Sequence, residues 1–463
     1  MKATAVSPRQ LTVARLLSVA LTALALLAAF PDAAKADVTY TEEAYRALAE
    51  AGSDVPAPGT VINNSNWKIY RKYLTIGYQA FHQKSLPFYF GDGTEFNMVV
   101  TNYVPVPMPK IFVQHTEQYA GRVRLEPSSH GGWLAANYVA GLPFPKPSGP
   151  MAGVEIAYDA LYRFSPYAYE SWVDTHSIDR YRNESSTLFN SYFYRVMHLS
   201  DPDLGYPLNL PIAKGYWLLN RYEVVNPEQS KYTTQVVNFP DRQDTLPENY
   251  VFLPSLRRSI RLSNAAHCAP ILGTEFINDD SFPVKFQIPF FDVKLLGKKT
   301  ILAVDHVRQL NAKEGKTFPI NEMYTHGDPL PGFMKPEYAK WEPMPVYVID
   351  AKPLPSLGGY CYSHRVFYIN ADSYNILADE AYDVSGRLWK FNVYNWRISS
   401  LNDGEPFIST ADYYGGIYDV QNAHMNMTGS WHGAPARIDK ELDAGRLNAG
   451  VYGFPGSLSQ VMR

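Results

Sequence analysis

The stretch from Trp341 to Phe391 constrains the fold more than any other part of the chain. Short apolar runs (VYVID, VFYI, YNIL, RLWKF) follow one another, each bounded by a turn signal. Asn370-Ala371-Asp372-Ser373 separates VFYI from YNIL, and Asp383-Val384-Ser385-Gly386 precedes RLWKF. Asp and Asn cap such turns with their own side chains, and Gly386 supplies the positive φ of a tight hairpin. This is the pattern of an antiparallel meander, in which sequence neighbours pair in space. A large meander with aromatic residues on one face tends to curl into an open or closed barrel able to hold an apolar ligand.

Further strand candidates accumulate in the second half: Gly215 to Val225, Tyr232 to Phe239, Asn249 to Leu262, VKFQI (284–288) and FFDVKLLGKKTILAV (290–304). Helical spacing is confined to three places. Thr39 with Glu42 three residues on reads as a capping box before EEAYRALAEA. Residues 67–83 place Trp67, Tyr70, Leu74 and Tyr78 on one helical face, and EIAYDALYRFS follows Gly153. Proline-rich text at 104–109 and 143–147 removes ladder donors and reads as extended connection. The expectation is an α+β chain, mainly antiparallel β, without the fixed repeat of a propeller or solenoid.

The first 36 residues carry a basic lead (Lys2, Arg9, Arg15), an apolar run from Leu16 to Phe30 and Ala34-Lys35-Ala36. About 15 apolar residues fall short of the roughly 20 that span a bilayer, so a cleaved secretory signal at 1–36 is expected, with a periplasmic destination. The remaining 427 residues suffice for one large domain or two modest ones. The division expected is 37–150 as a helical and irregular extension packing on the sheet, and 151–463 as the sheet domain. Removing the signal's +3 from the formal −3 leaves about −6. With no basic stripe, nucleic acid is an unsuitable partner. Cys268 and Cys361 are the two cysteines. In an exported chain they form one disulfide or stand as two buried thiols.

No G-x-S-x-G, H-E-x-x-H, Walker loop or G-x-G-x-x-G occurs, so no catalytic residue is assigned and no cofactor is implied. Ser129-His130-Gly131-Gly132 faintly resembles an oxyanion-hole motif, but a glycine pair after histidine also suits an ordinary turn. Asn278-Asp279-Asp280 and Asp201-Pro202-Asp203 could ligate calcium, although turn capping accounts for both; no metal site is assigned.

Several segments together resemble a family of exported Gram-negative proteins of unknown function labelled outer-membrane lipoprotein-sorting-like. They are Gly141 to Pro147, Trp217 to Val224, Phe252 to Arg261, Gly273 to Asp280, Asp292 to Thr300, Trp341 to Ala351 and His364 to Phe391. Pro343 and Pro345 depart from the pattern at the start of one strand. The resemblance implies a fold similar to the carriers LolA and LolB: a curved, unclosed barrel plugged by helices, holding a lipid or other hydrophobic molecule. It also implies service to an envelope transporter or outer-membrane protein. On that basis alternate positions are expected on a ligand-facing surface: Trp217 with Leu219, Phe367 with Ile369, and Trp389 with Phe391 and Val393. Two alternatives remain: an envelope hydrolase, and an interaction module docking on a transporter through residues 53–110.

Overall fold

The computed structural model describes residues 38–462 except 93–95, 195–214, 264–267, 272, 278, 281–285, 305–322, 326–331, 337, 402–403, 431–436 and 439–452. The expected signal at 1–36 and the Asp201-Pro202-Asp203 segment lie outside the described residues. Among them, no helix is long and apolar enough to cross a membrane.

Among the described residues, one antiparallel sheet of 14 strands dominates. In chain order its strands are β1 (Ala168–Ile178), β2 (Glu184–Tyr194), β3 (Tyr216–Asn226), β4 (Thr234–Pro240), β5 (Glu248–Leu253), β6 (Arg258–Arg261) and β7 (Phe291–Ala303). They continue with β8 (Glu342–Pro353), β9 (His364–Asn370), β10 (Ile376–Tyr382), β11 (Leu388–Ser400), β12 (Pro406–Asp419), β13 (His424–Ser430) and β14 (Arg437–Ile438). Strands β1 to β6 form one meander and β7 to β13 another. β13 pairs with β1, from Met425 opposite Ile178 to Ser430 opposite Val173, and so joins them. The order is that of a barrel opened between β6 and β7, two strands adjacent in sequence that do not pair with each other.

The expected meander is present as β8 to β11, with the expected turns. Asn370 Oδ1 accepts from the amides of Asp372 and Ser373 at 2.9 and 3.0 Å, and Asp383 Oδ1 from Ser385 and Arg387 at 2.8 and 3.0 Å. Gly386 has φ +74°. Pro343 and Pro345 do not interrupt β8. They pair with Leu302 and Thr300 of β7 in the stretch of β8 before its pairing with β9 begins at Val346, so their missing N–H groups leave no ladder bond unmade.

Among the described residues, five α-helices accompany the sheet: α1 (Glu42–Arg46), α2 (Trp67–Tyr70), α3 (Ile76–Phe81), α4 (Lys110–Tyr119) and α5 (Ala152–Tyr162). α5 lies on the concave side. Gly153 sets its distance from β7, because a Cβ there would come within 2.7 Å of the Leu295 amide nitrogen. At the other end of α5, Tyr162 meets Trp217 of β3 edge-on, 6.1 Å between ring centres. A helix that touches both arms of one sheet must sit inside its curl. The described residues between Cys268 and Phe290 cover the same side, where Phe286 stacks on Phe367 at 5.2 Å. Cys361 holds its start through the disulfide to Cys268, Cα–Cα 5.8 Å. The described residues of 38–100 cover the opposite, convex side, where Phe81 and Tyr78 pack on Phe391 at 5.4 and 5.0 Å.

Three local expectations differ. Thr41, not Thr39, caps α1, accepting from Ala44 N; Thr39 instead bridges to Arg387. The helix read over 67–83 is broken, because Leu74 and Thr75 are extended and Thr75 recaps α3 through Tyr78 N at 3.1 Å. Of VKFQI, residues 286–287 are not strand and Ile288 begins a 3-10 turn with Pro289 and Phe290.

Two acidic residues in the middle of β10 fix the layers. Asp379 points to the concave side and binds the guanidinium of fully buried Arg365 at 2.9 Å; Asp280 pairs with the same group at 3.0 Å. Asn392 donates to both Asp379 oxygens at 3.1 Å, and Tyr362 donates to Asp280 at 3.0 Å. Asp279 and Asp280 therefore do more than cap a turn: with Tyr360, which donates to Asp279 at 2.8 Å, they anchor the covering segment. Glu380 points the other way. It accepts from Gly77 N of α3 at 2.6 Å, Tyr45 of α1 at 2.6 Å and Tyr368 at 3.1 Å. Burial pushes its carboxyl up to about 7, against the opposing pull of those hydrogen bonds.

Removing one member of the Arg365 cluster strands a buried charge. Arg365→Met is expected to lower the stability measured by urea unfolding by about 3–5 kcal/mol; a loss below about 1 kcal/mol would contradict the anchoring role. The raised Glu380 carboxyl means the folded chain holds a proton that the unfolded chain has released. Its stabilising contribution is full below about pH 4.5 and is lost as pH rises through about 7. It amounts to about 3 kcal/mol over that window. Glu380→Gln should flatten this part of the stability–pH profile; an unchanged slope would refute the assignment.

Candidate functional site

The opening between β6 and β7 leads into a cleft of about 660 Å³ at the rim of the sheet. Arg261 closes it from the end of β6, Tyr216 and Glu248 from the starts of β3 and β5, and Pro240 to Leu246 from the β4–β5 turn. Phe290, just before β7, and Ser356, just after β8, face them. His130 completes the wall from the turn joining the hairpin strands Arg124–Pro127 and Trp133–Ala136.

That turn is built locally. Ser128 N donates to Gly132 O at 2.8 Å and His130 N to Ser128 Oγ at 3.2 Å, while Gly131 takes φ +96°. Gly132 N then donates to Pro289 O at 3.0 Å, and a Cβ on Gly132 would fall 2.4 Å from that oxygen. The glycine pair thus lets the turn dock against the β7 side of the opening. The His130 ring stacks on Phe290 at 3.9 Å, and its Nε2 lies 3.1 Å from Asp244 O on the β6 side. Ser356 Oγ donates to the His130 carbonyl at 2.7 Å, not to the ring. That hydroxyl thus makes a turn contact while the ring faces Asp244, so the two are not arranged as a nucleophile with its base.

The remaining wall is charged and partly self-paired. Tyr216 donates to Glu248 at 3.1 Å, and Arg261 stands 3.5 Å from the same carboxylate while lying over the Tyr250 ring at 5.7 Å. Burial pushes the Tyr216 hydroxyl up. Arg242 grips Asp244 through two bonds, 3.0 and 2.5 Å, which holds that carboxyl below its usual range. The cleft therefore offers an apolar side (Phe290, Leu246, Pro240) and a polar side with both signs of charge. Among the described residues no group of histidine, cysteine and acidic side chains could hold a metal ion.

The residues assigned from the sequence to a ligand face are all in the sheet, on both of its sides. Trp217 and Leu219 do not share a face. Trp217 is the extra residue of a bulge between Tyr216 and Leu218, so it turns to the concave side with Leu218. Leu219 faces outward with Arg221, beneath the C-terminal 3-10 segment, where Arg221 reaches Ser457. Trp389 is a bulge residue as well, between partners Lys390 and Leu388 of β10. It packs on Tyr362 and donates to Asp419 at 2.9 Å, away from Phe391 and Val393. Those two lie on the convex side, buried beneath α3. The void beside Val393, lined by Tyr78, Trp341 and Phe333, measures about 20 Å³, room for one water. Phe367 and Ile369 lie on the concave side and are buried. Alternation read from the sequence missed the bulges. Five of the six segments lining the cleft carry no local signal of a site, since they converge only in the fold; the Ser129–Gly132 turn stands out in the sequence for another reason.

An outer membrane lipoprotein-sorting protein domain from Vibrio parahaemolyticus aligns over 65% of this chain and 98% of its own, with 15% identity and a TM-score of 0.43. A DUF1329 family protein from Desulfovibrio piger aligns over 66% and 100%, with 13% identity and a TM-score of 0.45. A LolA superfamily protein from Nitrosomonas europaea aligns over 63% and 94%, with 14% identity and a TM-score of 0.35. No curated protein matches the sequence at a significant level. The family model for DUF1329, proteins of unknown function, matches residues 61–448, most of the chain. With its curled, unclosed antiparallel sheet and enclosed helix, this chain belongs to the DUF1329 family.

Proposed function

We propose that the protein is a non-enzymatic binding protein of the periplasm that takes an amphiphilic, lipid-like molecule at the opening between β6 and β7. The observation that carries this reading is the cleft itself: it sits where the sheet is unpaired and is apolar on one side, charged on the other. A polar head finds Arg261, Glu248 and the His130 turn; an apolar chain finds Phe290 and Leu246. Behind Phe290 lie α5 and the concave residues Trp217, Phe367 and Ile369, which belong to one continuous apolar core. Covering about 200 Å² of acyl chain there contributes roughly 5 kcal/mol before ordering costs. Transfer of such a ligand to or from an envelope transporter or outer-membrane protein, which the sequence resemblance implies, is part of the same proposal.

Delipidated protein offered dipalmitoyl phosphatidylglycerol is expected to retain one molecule per chain in native mass spectrometry. Leu246→Asp should weaken retention by about tenfold, while Val384→Asp at an exposed hairpin tip should leave it unchanged. A protein that retains no lipid, or a Leu246→Asp variant that retains it equally, would overturn the reading.

A further inference from the structure

The two edges that face the opening are treated differently. At β7 the chain covers its own edge. Ala51 N donates to Lys298 O at 3.1 Å and Thr300 N to Ala49 O at 2.7 Å, with Glu50 bridging opposite Lys299. Residues 49–51 thus add to β7 as a short extended segment, and the Glu50 carboxylate binds the Lys299 ammonium. This is strand addition with an acid delivered to a basic edge, performed within one chain.

No strand pairs with the outer edge of β6 among the described residues. Its backbone orientation follows from the register. Leu262 N donates to Asn249 O at 2.8 Å, so in steps of two Ile260–Val251 and Arg258–Leu253 are the hydrogen-bonded pairs with β5. The N–H and C=O of Ser259 and Arg261 consequently point away from the sheet, toward the opening. The edge is strongly basic. Arg258 and Arg261 are exposed and project to opposite faces, and exposed Arg257 sits in the left-handed turn at its start, φ +49°. Arg257 and Arg258 make no ion pair among the described residues. A bare edge with arginines can be explained as protection against edge-to-edge aggregation. The self-covered edge of β7 argues that this fold also uses strand addition.

We propose that β6 is a docking edge for an extended, acidic segment of a partner protein, which adds as a strand beside Ser259 and Arg261. Arg258 and Arg261 stand three positions apart on opposite faces. The matching segment therefore carries two carboxylates three residues apart, each reaching one arginine across the new ladder. The backbone bonds supply the pairing and the arginines select the sign of charge.

The probe is a short synthetic peptide of alternating valine and threonine with two glutamates three residues apart, titrated against the full chain and followed by fluorescence anisotropy. Binding is expected, weakening as salt is raised, and by about tenfold with Arg258→Glu. Ser259→Pro removes an outward donor that β5 does not use, so it should abolish binding while leaving the thermal transition in place. Should that variant misfold, the same peptide N-methylated at alternate residues, offered to the unaltered chain, tests the same bond and should not bind. Absence of binding would overturn the proposal. So would equal binding of a lysine-for-glutamate peptide, or full binding by Ser259→Pro or by the N-methylated peptide.

Discussion

Two neighbouring carboxylates in the centre of one strand organise this molecule. Successive residues of a strand point to opposite faces, so Asp379 and Glu380 each reach into a different layer. Asp379 holds Arg365, and through it the Asp279–Asp280 segment, on the concave side. Glu380 gathers the amide of Gly77 and the hydroxyls of Tyr45 and Tyr368 on the convex side. Nearby on that side, Tyr40 and His364 share the Asp350 carboxylate, at 2.7 and 3.0 Å, which secures the start of the same layer. Burying a charge is unfavourable unless it is paired and hydrogen-bonded, so each site tolerates one arrangement of its partners. The sheet is thereby covered on both faces by specified segments instead of by any apolar surface of suitable shape.

This double covering explains the strand composition. A half-solvated sheet reads as strict alternation, but β9 and β10 are buried along nearly their whole length, and ILADEAY keeps polar residues inside a continuous buried run. The turn chemistry around these strands was legible because Asn370, Asp383 and Gly386 act within a few residues of themselves. The acidic pair was not, because a buried carboxylate looks like a turn residue until its distant arginine or tyrosines are known.

Faces were less legible than strands for a similar reason. One extra residue reverses every side chain beyond it relative to the neighbouring strand. Bulges at Trp217 and Trp389, and irregular steps after Leu295 and Tyr368, each break the parity that alternation assumes. Large aromatic residues occupy two of these positions, so the side chains most tempting as ligand contacts are the ones whose direction pattern alone gets wrong. The rim cleft lay further out of reach. Its walls come from turns and strand ends separated by more than two hundred residues, and nothing local marks His130, Leu246, Arg261 and Ser356 as neighbours.

The strand order also bears on how the chain reaches its native state. Nearly every ladder of the large sheet joins strands that are consecutive in sequence, so each of the two meanders can form from short-range contacts. The seam between β1 and β13 is different: Thr175 and Thr428, side by side across it, are 253 residues apart. Closing so long a loop is entropically costly and is compensated only once both partners are largely formed. Folding is thereby divided into two local assemblies and one late union. The late step sets the curvature, since the half-barrel exists only after β1 finds β13.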